Sequence, residues 1–187
     1  ILGASEEEQI ACLLHDISHT AFSHVVDWVI GSGHIENFQD DKHQDFIKSS
    51  EIGEILKRYN YDPERISDLK NFKLLDSELP ELCADRVDYA LREFGLKTAQ
   101  VCLKSLTVKE GRIGFKNKVA ARLFARNFLR AQMGHWGGFE AASRYRIFAD
   151  LLKISLEEKV LNSADFWQDD KFIVKKLLIS NDKTIIN

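Results

Sequence analysis

Residues 13–27 read LLHDISHTAFSHVVD, and this stretch decides how the rest of the chain is read. It holds His15, Asp16, His19, His24 and Asp27, so half of the six histidines fall within ten positions. His15 and His19 are four apart and share a face wherever the chain is helical. His15 directly precedes Asp16, so one short segment offers imidazole nitrogen and carboxylate oxygen together. Mixed N/O donors suit Mn, Fe, Zn, Co or Ni, and Mg where water completes the sphere. A lone histidine is most often a satisfied core or surface residue. Here the polar cluster sits between Leu13-Leu14 and Val25-Val26, where burial is costly unless the groups are paired or bind a metal.

A second stretch, ELCADRVDYALRE at residues 81–93, places Asp85, Asp88 and Tyr89 at i, i+3 and i+4. On a helix Asp85, Tyr89 and Glu93 form a polar ridge beside an apolar face of Leu82, Cys83, Val87 and Leu91. Taken alone, this stretch is better read as a solvated helix with local Asp–Arg pairs.

Outward from these two segments the pattern is mostly helical. Ser5-Glu6-Glu7-Glu8 predicts a capping box, with Glu8 reaching back to the serine amide. Helices are expected over about 21–30, ending at Gly31, and over about 41–59, with residues 31–40 a polar loop. Asp62-Pro63 opens a short helix, and another runs from Pro80 to Glu93, ending at Gly95. From Val101 to Asn117 the period changes to two around LTVKEGRIGFK, a hairpin signal with Glu110-Gly111 at the turn. Helices over about 118–133, 139–161 and 164–180 follow. The expected fold is all-α with one small hairpin at about 101–117. The expected domain is residues 1–150, with 151–187 a helical extension packed on it.

The 187 residues are 44% apolar and 29% charged with a net charge of −3, which excludes a disordered chain and disfavours a dedicated nucleic-acid binder. No apolar run reaches about 18 residues, so no membrane helix is expected. Cys12, Cys83 and Cys102 are widely spaced and odd in number, which implies neither a disulfide framework nor a thiolate zinc site. No basic-then-apolar leader opens the chain, and the cytoplasm is the expected compartment. Residues 112–146 contain eight Lys or Arg against one acid, so this segment carries +7 and the remainder −10. Arg122, Arg126 and Arg130 form a stripe, read either as a solvated face or as a site of attraction for a polyanion such as nucleotide phosphates, an allosteric nucleotide or a single strand.

The two motifs together resemble the HD-domain metal-dependent phosphohydrolases, in particular the deoxynucleoside triphosphate triphosphohydrolase branch. The family pattern H-D-x-G-H-x-P-F-S-H is matched by HDISHTAFSH at 15–24, and D-[KR]-x-D-Y-x-x-R-[DE] by DRVDYALRE at 85–93. The resemblance covers roughly residues 5–150. It implies an all-α HD bundle in which His15, Asp16 and Asp85 ligate a divalent metal (Mn, Mg, Fe, Co, Ni or Zn). His19, His24 and Asp27 line the phosphate side, with His19 a general acid or proton relay. His43, in DKHQD, falls where the family often has a catalytic histidine. Arg86 contacts phosphate, Tyr89 and Glu93 face the sugar, and Arg122 and Arg126 on the basic stretch help hold substrate.

The departures are Ser18 and Ala21, where Gly and Pro are usual, and Glu93, where Asp is common. Met133-Gly134-His135 stands where the family has Tyr-x-His. The family's first metal histidine lies upstream of the HD pair. No histidine precedes His15 here, and the only methionine is Met133, so a domain beginning inside its first helices is expected. The implied activity is hydrolysis of a nucleotide phosphate ester or anhydride, a (deoxy)nucleoside triphosphate first. A phosphodiesterase or nucleotidase on the same site, and a degenerate scaffold that binds nucleotide or a protein partner, are the alternatives. The expected partner is a nucleotide or other phosphorylated small molecule; a homo-oligomer is compatible with the sequence, and nucleic acid is not favoured.

Overall fold

The computed structural model describes residues 2–31, 33 and 38–180. Half of the expected polar loop at 31–40 and the end of the expected C-terminal extension lie outside the described residues. The structure is mostly helical, with a single two-stranded antiparallel hairpin among the described residues. The helices are α1 (Glu6–Leu14), α2 (Val25–Ile30), α3 (Phe38–Ser49), α4 (Glu51–Arg58), α5 (Pro63–Ser67), α6 (Ala84–Glu93), α7 (Leu96–Ser105), α8 (Lys118–Ala131), α9 (Phe139–Glu157) and α10 (Asp170–Ile179). Strands β1 (Leu106–Lys109) and β2 (Arg112–Phe115) pair Leu106 with Phe115 and Lys109 with Arg112. Glu110 and Gly111 both take positive φ at the turn, 53° and 75°, as a two-residue hairpin loop requires. No described helix is long and apolar enough to cross a membrane.

The chain divides into two compact units. The first comprises the N-terminal residues to His15 together with Ile47–Gly138. It has two apolar cores. One gathers Ala11, Ile47, Leu56, Ile66, Phe72 and Leu75, and the other gathers Val87, Ala90, Phe94, Cys102, Ile113 and Phe124. The second unit comprises Asp16–Phe46 and the residues from Phe139 onward. Its core joins Val25 and Val26 of α2 to Ala149 and Leu152 of α9 and to Ile173 and Leu177 of α10.

Local chemistry sets the helix boundaries. Ser5 caps α1 by accepting from the Glu8 amide at 3.1 Å, and three glutamates complement the helix dipole in its first turn. Glu8 does not complete the predicted box. Its Oε1 accepts instead from the amides of Leu74 at 2.7 Å and Leu75 at 3.3 Å. Asp62 caps α5 with Pro63 in its first turn, as the sequence predicts. Asn117 caps α8 by accepting from the Ala120 amide.

Several boundaries differ from the periodic pattern. The helix expected from Ala21 starts at Val25, because Phe22 and Ser23 are left-handed at φ 59° and 49°. It ends as expected at Gly31, at φ 91°. The helix expected over 41–59 is two helices, α3 opening earlier at Phe38 and α4 following an extended Ser50. A Cβ on Gly53 would lie 2.8 Å from the Ile47 carbonyl oxygen, so this corner closes only around glycine. The helix expected from Pro80 starts at Ala84, and residues 101–105, expected in the hairpin, complete α7.

Candidate functional site

In the first unit, His15 forms the C-cap of α1 and Asp85 lies in the first turn of α6. His15 Nε2 is 3.3 Å from Asp85 Oδ1, which joins the two sequence motifs across 70 residues. His15 Nδ1 is 2.8 Å from the Cys12 carbonyl. A carbonyl can only accept, so Nδ1 carries the proton and Nε2 presents its lone pair towards a carboxylate oxygen. Two acceptors at that distance call for a positive charge, either a second proton on the imidazole or a cation beside both atoms. The donor chemistry therefore fits a divalent metal. The Nδ1–H bond to a main-chain carbonyl is the arrangement that orients metal-bound histidines. Among the described residues no three His, Cys, Asp or Glu are grouped so as to hold a metal, so the pair is a two-donor nucleus.

Further along α6, Tyr89 packs edge-to-face on Trp136 with centroids 5.0 Å apart, and tilted on Phe128 at 6.2 Å. Burial pushes its phenol up, against the opposing pull of the Arg86 charge, so the hydroxyl stays protonated and can donate. One turn on, Glu93 Oε2 lies 3.2 Å from Nδ1 of His135. His135 sits in a π turn, Gln132–Trp136, at the end of α8. Arg86 is turned inward and donates to the carbonyls of Ser77 and Glu81, bracing the loop that precedes α6. Asp88 and Arg92 make the exposed local pair that a solvated helix would have, at 2.7 Å. Arg122 and Arg126 lie on the exposed face of α8.

The second unit holds the remaining candidates. Asp16 Oδ1 accepts from the Gln39 side chain at 3.4 Å and lies 3.4 Å from His19 Nε2. The His19 and His24 rings meet edge-on at 5.0 Å. His24 Nδ1 is buried and its ion-pair neighbour is Asp27 Oδ2, at 3.7 Å. Asp27 is 2% exposed, and its Oδ1 accepts from the Phe38 amide that opens α3. His43 is buried, with Nδ1 2.9 Å from Ser18 Oγ.

Both departures from the motif have a use. Ser18 is fully buried and supplies the hydroxyl that orients His43, which glycine would leave without that bond. The Ala21 amide donates to the Phe166 carbonyl at 2.8 Å, a bond that proline could not make. Neither partnership has a local signature, because the partners are 25 and 145 positions away.

One relative is a metal-dependent phosphohydrolase. It is the protein cns2 of Cordyceps militaris, 28% identical over 186 residues, a match that takes in 89% of this chain and 54% of cns2. The chain is also 35% identical over 193 residues to the uncharacterised protein YdhJ of Bacillus subtilis, a match that covers all of this chain and 59% of YdhJ. The chain thus spans little more than half the length of these curated relatives. No family model and no solved structure matches it.

Proposed function

We propose that this chain carries the site of an HD-domain, divalent-metal-dependent phosphohydrolase acting on nucleotides, a (deoxy)nucleoside triphosphate being the best single substrate. The observation that carries the proposal is the 3.3 Å approach of His15 Nε2 to Asp85 Oδ1, with Nδ1 committed to the Cys12 carbonyl. The similarity to a metal-dependent phosphohydrolase supports it.

His15, Asp85 and Asp16, the chain neighbour of His15, would hold the metal. A bound divalent cation activates water near neutral pH and offsets phosphate charge. The residues of the chain do the rest. The Cys12 carbonyl keeps the His15 proton on Nδ1, so Nε2 remains a donor of its lone pair. His19, beside the Asp16 carboxylate, passes a proton to the leaving oxygen. His24 and Asp27 flank this relay. Ser18 fixes the ring of His43, which serves as a further acid–base group. The Tyr89 phenol donates to a sugar hydroxyl and the Glu93 carboxylate accepts from one. Arg86 braces the loop before Asp85 and contributes positive charge on the phosphate side.

The test uses the full-length protein. It is expected to bind Mn²⁺ in a calorimetric titration and to release phosphate products from a nucleotide panel. His15→Ala and Asp85→Ala are each expected to weaken Mn²⁺ binding at least tenfold and to lower kcat by a factor of about 10² or more. Release of inorganic triphosphate identifies a triphosphohydrolase, whereas orthophosphate or a monophosphate product reassigns the same site to a nucleotidase or phosphodiesterase. Unchanged metal binding in both variants sinks the proposal.

A further inference from the structure

The solvent face of α8 carries a row of cations. Lys118, Arg122, Arg126 and Arg130 recur at four-residue spacing, and all are exposed. Four residues of helix rise about 6 Å, so the row runs about 18 Å. Val119, Ala125 and Leu129 are the other exposed residues of the helix, and Val119 is 75% exposed and Leu129 57%. The seven positions fall within an arc of roughly 140°. The helix contains no acidic residue.

Elsewhere most arginines are neutralised locally. Arg65, Arg92, Arg112, Arg144 and Arg146 each pair with a carboxylate. Arg86 donates to main-chain carbonyls instead. Among the described residues, the side chains of Lys118, Arg122, Arg126 and Arg130 make no ion pair and no hydrogen bond. Three successive like-charge i, i+4 pairs work against the helix, and Lys118 in its first turn opposes the dipole. The face is thus poorly suited to an isolated helix and well suited to a counter-charged partner.

We infer that this face docks an acidic amphipathic helix of a protein partner. Carboxylates at four-residue spacing on such a helix match the 6 Å cation repeat, and its aliphatic side chains cover Val119 and Leu129. A single strand of nucleic acid fits less well. No aromatic side chain lies on this face for bases to stack on, and the chain as a whole is net negative. A row of this length also outruns one nucleotide.

The experiment titrates full-length protein into fluorescein-labelled synthetic helical peptides and follows anisotropy. One peptide carries Glu at every fourth position with Leu beside it. A second has Gln in place of each Glu, and a single-stranded thymidine oligonucleotide is the third probe. The Glu peptide is expected to bind at least tenfold more tightly than the Gln peptide, and binding is expected to weaken as salt rises. The combined variant R122Q/R126Q/R130Q is expected to lose at least tenfold in affinity for the Glu peptide. Its thermal midpoint is expected to be no lower than that of the unaltered protein, because repulsion has been removed. The matching Arg→Lys variant is expected to keep most of the affinity. Equal affinity for the Glu and Gln peptides, measured on the unaltered protein, overturns the inference without recourse to any variant. So does oligonucleotide binding that is tighter than peptide binding and lost in the Gln variant, or displacement of the peptide by stoichiometric nucleoside triphosphate.

Discussion

Asp165 shows how a single residue can give the stability of the second unit a pH dependence. It lies in the short 3₁₀ turn Ser163–Trp167, where Asp165 and Asn162 cap each other reciprocally. Burial alone would raise its carboxyl. The Lys176 ammonium at 2.7 Å and the Asn162 amide at 2.9 Å outweigh that, and the group is held below the ordinary carboxylate range. A depressed folded value stabilises the fold at every pH above the unfolded value of about 3.9, and that contribution fades as pH falls through the folded value. Asp165→Asn is therefore expected to cost about 1–2 kcal/mol at pH 7. In chemical denaturation the gap from the unaltered protein is expected to close below about pH 4. At this same scale the sequence showed which residues belong together by type and concealed how they are held. HDISH and DRVDY hold residue types able to move a proton or ligate a metal, and the proposed site draws on both. That Ser18 would orient His43, or that Glu8 would leave its own helix for Leu74 and Leu75, depends on partners 25 and 66 positions away.

Among the elements, helices with a chemical start signal were legible, and those bounded by tertiary contacts were not. Ser5 and Asp62-Pro63 placed α1 and α5, and Glu110-Gly111 placed the hairpin turn. The α3–α4 corner was hidden, since the apolar spacing runs straight through Ser50. What breaks it is the approach of α4 to the end of α3 at Gly53, where the nearest atoms are main-chain oxygens and cannot swing aside. Gly53→Ala is expected to lower stability by about 1–3 kcal/mol by chemical denaturation, despite the better helix propensity of alanine. An unchanged midpoint would mean that the corner relaxes freely.

For the whole molecule, the near-neutral net charge conceals a segregated one. The +7 of residues 112–146 includes the unpaired row on α8, set against −10 in the rest of the chain. A resident metal would act at this scale as well, because a ligand that binds only the folded state shifts the unfolding equilibrium. At 100 times its dissociation constant, Mn²⁺ is expected to stabilise the protein by about 2.7 kcal/mol. The thermal midpoint is expected to rise on adding Mn²⁺ and to fall back with a chelator. In His15→Ala it is expected not to respond.

The carboxylate of Glu8 gives that linkage a local address. It holds the amides of Leu74 and Leu75, whose carbonyls accept in turn from the amides of Ala84 and Asp85. Two main-chain residues thus tie the helix ending at His15 to the helix beginning before Asp85. Whatever draws His15 and Asp85 together must also slow the opening of this tie, since coupling between two equilibria is reciprocal. Measured by native-state hydrogen exchange, the amides of Leu74 and Leu75 are expected to gain protection when Mn²⁺ is added. In Glu8→Gln that gain is expected to shrink and Mn²⁺ affinity to fall with it, although the substituted residue lies seven positions from the nearest proposed ligand.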